Sequence, residues 1–121
     1  MADSILTLTK KDLGITEEYE HFDPELIMDI NAAFMVLNQL GVGPEEGFSI
    51  TDKTQVWTDF MEEGPVLSMV RKYMPTKVKL MFDTSTLTSP MIEVINKNIS
   101  ELEFRLQVAC NHKVEGEVSD E

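Results

Sequence analysis

Hydrophobic positions recur at three- and four-residue spacing in three long stretches and two shorter ones, each closed by glycine, proline or a polar run. The first stretch is short. Asp3 or Ser4 can cap it, Ile5, Leu6, Leu8 and Leu13 supply apolar contacts, and Gly14 reads as the left-handed residue past a helix end, with Ile15 folding back. Thr16 to His21 reads as an acidic loop. The second stretch has the clearest start. Asp23 is a good N-cap, Pro24 suits the first helical position, and Phe22 and Ile27 are placed for a hydrophobic staple. Leu26, Ile27, Ile30, Ala33, Phe34, Leu37 and Leu40 then keep helical phase until Gly41.

Residues 41–52 hold three glycines and Pro44, which exclude a regular helix. Phe48, Ser49 and Ile50 alternate as a short strand would. Gln55 to Met61 suits one or two helical turns, with Trp57 anchored in the core. A third long element runs from Gly64-Pro65 to Phe82, with Leu67, Val70, Met74, Val78 and Met81 in phase. Pro75 lies inside it, removes a backbone donor and clashes with the carbonyl of Arg71, which predicts one kinked helix or two short ones in line. Asp83 to Ser89 is a polar linker, and Ser89-Pro90 opens a last helix reaching about Cys110, with Ile92, Ile95, Ile99, Leu102 and Leu106 as its buried stripe. The prediction is an all-α fold: a small bundle of four to five helices, with room for a short β-hairpin near residues 46–52. It forms one helical domain over 1–110, followed by an acidic, flexible C-terminal tail over 111–121.

A net charge of −12 argues against gripping nucleic-acid phosphates, which calls for a basic patch. It does not argue against a surface that DNA passes without sticking. No apolar run approaches the roughly 20 residues that span a bilayer, and Met1 to Thr9 lacks the basic start and long apolar segment of a signal peptide. Cys110 is the single cysteine, so no disulfide within the chain and no cysteine metal cluster is expected.

Catalytic and metal patterns are missing from the sequence, and no cofactor is expected. His21 and His112 stand apart, without a second histidine at zinc spacing. Cys110 near His112 has no third group to orient a base. The segment Gly41-Val42-Gly43-Pro44-Glu45-Glu46-Gly47 echoes a phosphate loop, yet it lacks lysine and places two acids where phosphates would sit. The acid pairs Glu17-Glu18, Glu45-Glu46 and Glu62-Glu63 point apart on a helix, and calcium-loop spacing is absent. Binding and assembly are therefore expected, not catalysis.

Several positions are candidate contacts. Met28, Ala32 and Met35 form a second apolar line on the second helix, which either is buried centrally or faces a partner. Arg71, Lys72, Lys77 and Lys79 are four of the ten basic residues, and form either a solvated face or an intersubunit salt-bridge face. Phe104 and Val108 lie off the buried stripe of the last helix, beside Lys97 and Glu101. Glu101 and Arg105 stand at i, i+4 in the favourable order.

The whole pattern resembles the small head–tail connector proteins of long-tailed bacteriophages, also called head-completion or adaptor proteins, in particular those of phages infecting low-GC Gram-positive bacteria. The likeness covers about residues 1–110. It is carried by Ile5 to Ile15, by Phe22-Asp23-Pro24 opening a helix that ends in Leu40-Gly41-Val42-Gly43, and by Gly47-Phe48-Ser49-Ile50 through Trp57-Thr58-Asp59-Phe60. In the closing helix it is carried by Ile99-Ser100-Glu101-Leu102-Glu103-Phe104-Arg105-Leu106. The resemblance implies a structural virion protein whose 1–110 unit is the connector domain. It implies a homo-oligomeric ring of about a dozen copies beneath the portal protein, continuing the DNA channel and offering a surface to a tail-side stopper or tail-completion protein. It also implies that residues 107–121, with Gln107, Asn111, His112, Lys113 and Val114, reach the portal. The location it implies is the virion neck, after assembly in the host cytoplasm. The charge alone suggests another role, an acidic regulatory module binding a basic protein partner.

Overall fold

Ser4 caps the first helix: its Oγ accepts from the Thr7 amide at 3.2 Å, at the start of α1 (Ile5–Asp12). The structure, a computed structural model, describes residues 4–82 and 87–119, with side chains described as far as Cys110; Asp3, the other cap expected from the sequence, lies outside that range. Gly14 takes φ +81°, and the Ile15 amide returns to the Lys10 carbonyl at 2.8 Å, closing the helix as its glycine predicts. The other elements are α2 (Asp23–Gln39), α3 (Trp57–Phe60), α4 (Pro65–Phe82) and α5 (Ser89–Ser119). The fold is all-α, a small bundle in which α4 packs against both α2 and α5 while α1 rests on α2 and α4.

Two start signals fall one residue away from their predicted places. Asp23 is already inside α2, and Phe22 is the N-cap, with no side-chain cap bond. The Asp23 carboxylate is taken instead by Lys10, at 2.9 Å. At α5 the cap is Thr88, whose Oγ1 accepts from the Met91 amide at 3.3 Å, and Ser89 is helical. α5 also runs nine residues beyond the predicted end at Cys110, to Ser119.

The hairpin expected near residues 46–52 is absent. The one β contact among the described residues is an isolated bridge between Ser4 and Val56. The backbone of Ile50 is satisfied by a side chain instead of a strand: the Ile50 amide donates to Asn31 Oδ1 at 2.8 Å, and Asn31 Nδ2 donates to the Ile50 carbonyl at 3.0 Å. One helical asparagine thus supplies both halves of a strand pairing. Seven residues on, Asn38 Nδ2 donates to the carbonyls of Pro44 and Glu45 at 3.0 and 3.2 Å, so two asparagines on one side of α2 pin the whole glycine loop. Gly43 is required there, at φ +90°, because a Cβ would stand 2.5 Å from the ring of the buried Phe60.

α4 spans Pro75 as a single helix. Its buried residues Tyr73, Met74 and Val78 flank the proline on the packed side. Next to the missing donor, Thr76 Oγ1 donates to the Lys72 carbonyl at 3.2 Å. Packing on two neighbouring helices holds a backbone that isolated proline chemistry would break.

The core joins Ile5 and Leu6 with Leu26, Ile30, Phe34 and Leu37 of α2, Trp57 and Phe60 of α3, and Leu67, Val70, Tyr73, Met74 and Val78 of α4. Phe34 is its aromatic centre, with the rings of Phe60, Phe48 and Trp57 at 4.8, 5.0 and 6.2 Å. Among the described side chains of α5 only Ile99 and Leu106 are buried; Ile95 and Leu102 are half-buried on the same side. A long helix packed along one face leaves most of its circumference outside.

Candidate interaction surfaces

The surfaces follow from which helix faces the core consumes. On α2 the buried residues Leu26, Ile30, Ala33 and Leu37 occupy one side at about 100° per residue, and Met28, Ala32 and Met35 fall on the opposite side. Met28 is 72% and Met35 65% exposed, so of the two readings open for this apolar line, burial within the chain is overturned. On α5 the same rule sets Val94, Lys97, Glu101, Phe104 and Val108 opposite Ile95, Ile99, Leu102 and Leu106. Phe104 is 65% and Val108 48% exposed, and Gln107 is exposed beside them.

The four basic residues of α4 separate into two pairs. Arg71 makes a two-pronged bond to the Glu63 carboxylate, at 3.0 and 2.6 Å, which ties the start of α4 to the loop before it. That bond holds the Glu63 carboxyl below the usual carboxylate range. Lys77 reaches Glu103 of α5 at 3.5 Å. Lys72 and Lys79, seven residues apart, are exposed on the remaining edge of α4. Of the cluster expected to act together, two members therefore brace the fold and two face outward.

The α4–α5 contact centres on a polar group absent from the sequence reading. The fully buried Tyr73 donates its hydroxyl to Glu103 Oε2 at 2.8 Å, the same oxygen that Lys77 approaches. Burial and then the Glu103 carboxylate push the Tyr73 hydroxyl far above its ordinary value, so it remains a donor at any physiological pH. Lys10 was equally unforeseen. It is 2% exposed and donates to the carbonyls of Glu17 and Tyr19 at 2.9 and 2.8 Å while pairing with Asp23. A buried lysine with three oxygen partners fixes the loop between α1 and α2.

Asp29, at the edge of the α2 stripe, is half-buried with one carboxylate oxygen lacking a hydrogen-bond partner among the described residues. Burial, and then the neighbouring Glu25, push its carboxyl above the ordinary value. The folded chain therefore binds this proton more tightly than the unfolded chain. The penalty is present above the folded pKa and relieved as pH falls through it, opposite to the usual carboxylate. Asp29→Asn should melt slightly higher than the parent at neutral pH, and the gap should close on acidification. A gap that stays constant with pH in thermal melts would contradict this account.

Among the described residues no group of histidines, cysteines and acids could hold a metal ion, and no helix is long and apolar enough to cross a membrane. His21 stacks edge-on to Phe22, at 5.0 Å between centroids. An open groove of about 530 Å³ runs between the Gly41–Pro44 turn, the Phe60–Leu67 segment and Ala109-Cys110. It contains the half-buried Cys110 and no histidine. The side chains of Asn111, His112, Lys113 and Val114 lie outside the described residues.

A helical unit with exposed apolar residues on the outer faces of α2 and α5 matches one family along nearly its whole length: the model described as phage connector protein aligns with residues 5–113. The chain belongs to the phage connector protein family. No curated protein and no solved structure matches it. Membership makes this a structural head–tail connector of a bacteriophage virion, as the resemblance led one to expect. The match opens at the first residue of α1 and takes in all five helices, closing inside α5.

Proposed function

We propose that this connector assembles into a ring of about a dozen copies beneath the portal, joins head to tail at the virion neck, and continues the DNA channel. The observation that carries the reading is the family match over residues 5–113. Met28 and Met35 of α2 and Val94, Phe104 and Val108 of α5 are exposed apolar side chains of the kind that mark protein contacts. A charge of −12 on every copy favours a lumen along which a duplex slides without adhering. Residues 107–121 are the segment proposed to meet the portal, and a tail-side stopper or tail-completion protein takes the far side. Lys72 and Lys79 are proposed contacts to acidic neighbours in this assembly.

Mass measurement and electron microscopy of the full chain, alone and mixed with portal particles, test this. The expected result is a ring of connector seated on the portal. A chain that stays monomeric and never joins portal particles overturns it. Recovery instead of a basic DNA-binding protein, released by salt, would mark the acidic regulatory module.

A further inference from the structure

The outer stripes of α2 and α5 share one spacing. Positions 28, 32, 35 and 39 on α2 and 97, 101, 104 and 108 on α5 both step by four, three and four, the phrasing that lets two helices interlock side chain into gap. The α5 stripe does not suit a second copy of itself. Two α5 stripes in parallel set Lys97 against Lys97 and Glu101 against Glu101; antiparallel, they set Lys97 against Val108 and Glu101 against Phe104. Two α2 stripes pair without that conflict, yet leave the α5 stripe of every copy bare.

The two stripes suit each other better. Run antiparallel, they bring Met28 to Val108, and set Ala32, the smallest residue of one stripe, opposite Phe104, the largest of the other. Gln39 meets Lys97, and Met35 against Glu101 is the one apolar position facing a charge, where every position of an antiparallel α5 pair is so mismatched. Charge agrees at the flank: α2 carries three acids and no base, whereas α5 carries Lys97 and Arg105 as well as Glu101 near its outer face. Antiparallel packing puts Asp29 and Arg105 on the same side of the contact, where flanking charges meet. Arg105 is exposed, with a 3.4 Å contact to Glu101 on its own helix, and Asp29 is half-buried at the edge of the α2 stripe.

We propose that the outer face of α2 on one copy packs antiparallel on the outer face of α5 on the next, with Met28 against Val108, Ala32 beneath Phe104 and Asp29 beside Arg105. The occupant of each stripe is thus a second copy of this chain. Each copy uses each face once, so a single contact covers both stripes and closes on itself when the rotation permits. The pairing rests on the assembly reading above and specifies its contact.

The test is disulfide trapping on the full chain with Cys110→Ser, carrying Ala32→Cys and Phe104→Cys, alone and seated on portal particles. Oxidation should give a ladder of linked multimers from the double-cysteine chain and no multimers from either single-cysteine chain. Asp29→Arg or Arg105→Asp, introduced singly, should lower the linked yield about tenfold by setting like charges together, and the double swap should restore it to within about threefold. A dimer from Phe104→Cys alone would overturn the proposal in favour of paired α5 helices. Rings visible by electron microscopy but without the 32–104 bridge would overturn this pairing and leave the assembly reading intact. A chain that never assembles removes both.

Discussion

Trp57→Ala is expected to lower stability by about 3–5 kcal/mol and the melting temperature by roughly 10–20 °C for a chain of this size. Trp57 is a large, fully buried side chain on a four-residue helix, too short to persist without its core contacts. It packs beside Phe34, and the residues just before it carry the chain's link to α1: the Ile5 amide donates to the Gln55 carbonyl at 3.1 Å, and Val56 bridges Ser4. Loss of the indole leaves a cavity at that junction, so α3 and the start of α1 should loosen together. Because the indole N–H has no hydrogen-bond partner among the described residues, Trp57→Phe loses area but no bond, and should cost less than half as much. Urea unfolding with hydrogen exchange on residues 4–8 checks both. A loss below about 1 kcal/mol for the alanine variant would show that Trp57 is not the anchor of α3.

Lys10→Met should cost about 3 kcal/mol while keeping most of the buried aliphatic stem. The methionine leaves the Glu17 and Tyr19 carbonyls without their donor and the Asp23 carboxylate, itself mostly buried, without its cation. The effect should show as faster proteolysis across residues 13–22 as well as in the urea midpoint, since the ammonium is what ties that loop down. Adding Asp23→Asn should recover part of the loss and not all of it, because the two carbonyls remain unpaired. Full recovery in the double variant would mean that the ion pair alone matters and that the loop bonds contribute nothing measurable.

These two residues differ in how visible they were beforehand. Trp57 stands in an apolar cluster after a glycine-rich stretch, and its role as an anchor follows from that pattern. Lys10 carries no such signal. Its partners Glu17, Tyr19 and Asp23 lie seven to thirteen positions away and are brought to it only when the chain turns at Gly14. Tyr73 and Glu103 are thirty positions apart, and Asn31 and Ile50 nineteen. The expected hairpin failed for this reason. Alternation at Phe48–Ile50 describes a backbone in need of partners, and cannot say that an asparagine on a helix will supply them.

The sequence by itself determined the helices, their order and most of their buried stripes, with Ile92 and Met81 left outside the core. Caps, glycine stops and three-four periodicity are local chemistry, settled within one or two turns of chain. It also supported the family, since the order of those local signals is what the connectors share. Tertiary structure decided the rest: that Pro75 is spanned, that Arg71 and Lys77 brace the fold while Lys72 and Lys79 face outward, and that Met28, Met35, Phe104 and Val108 are left uncovered. Periodicity shows that a helix has two apolar lines, but only the position of its neighbours fixes which line is covered, and α4 packs on the opposite face of both α2 and α5.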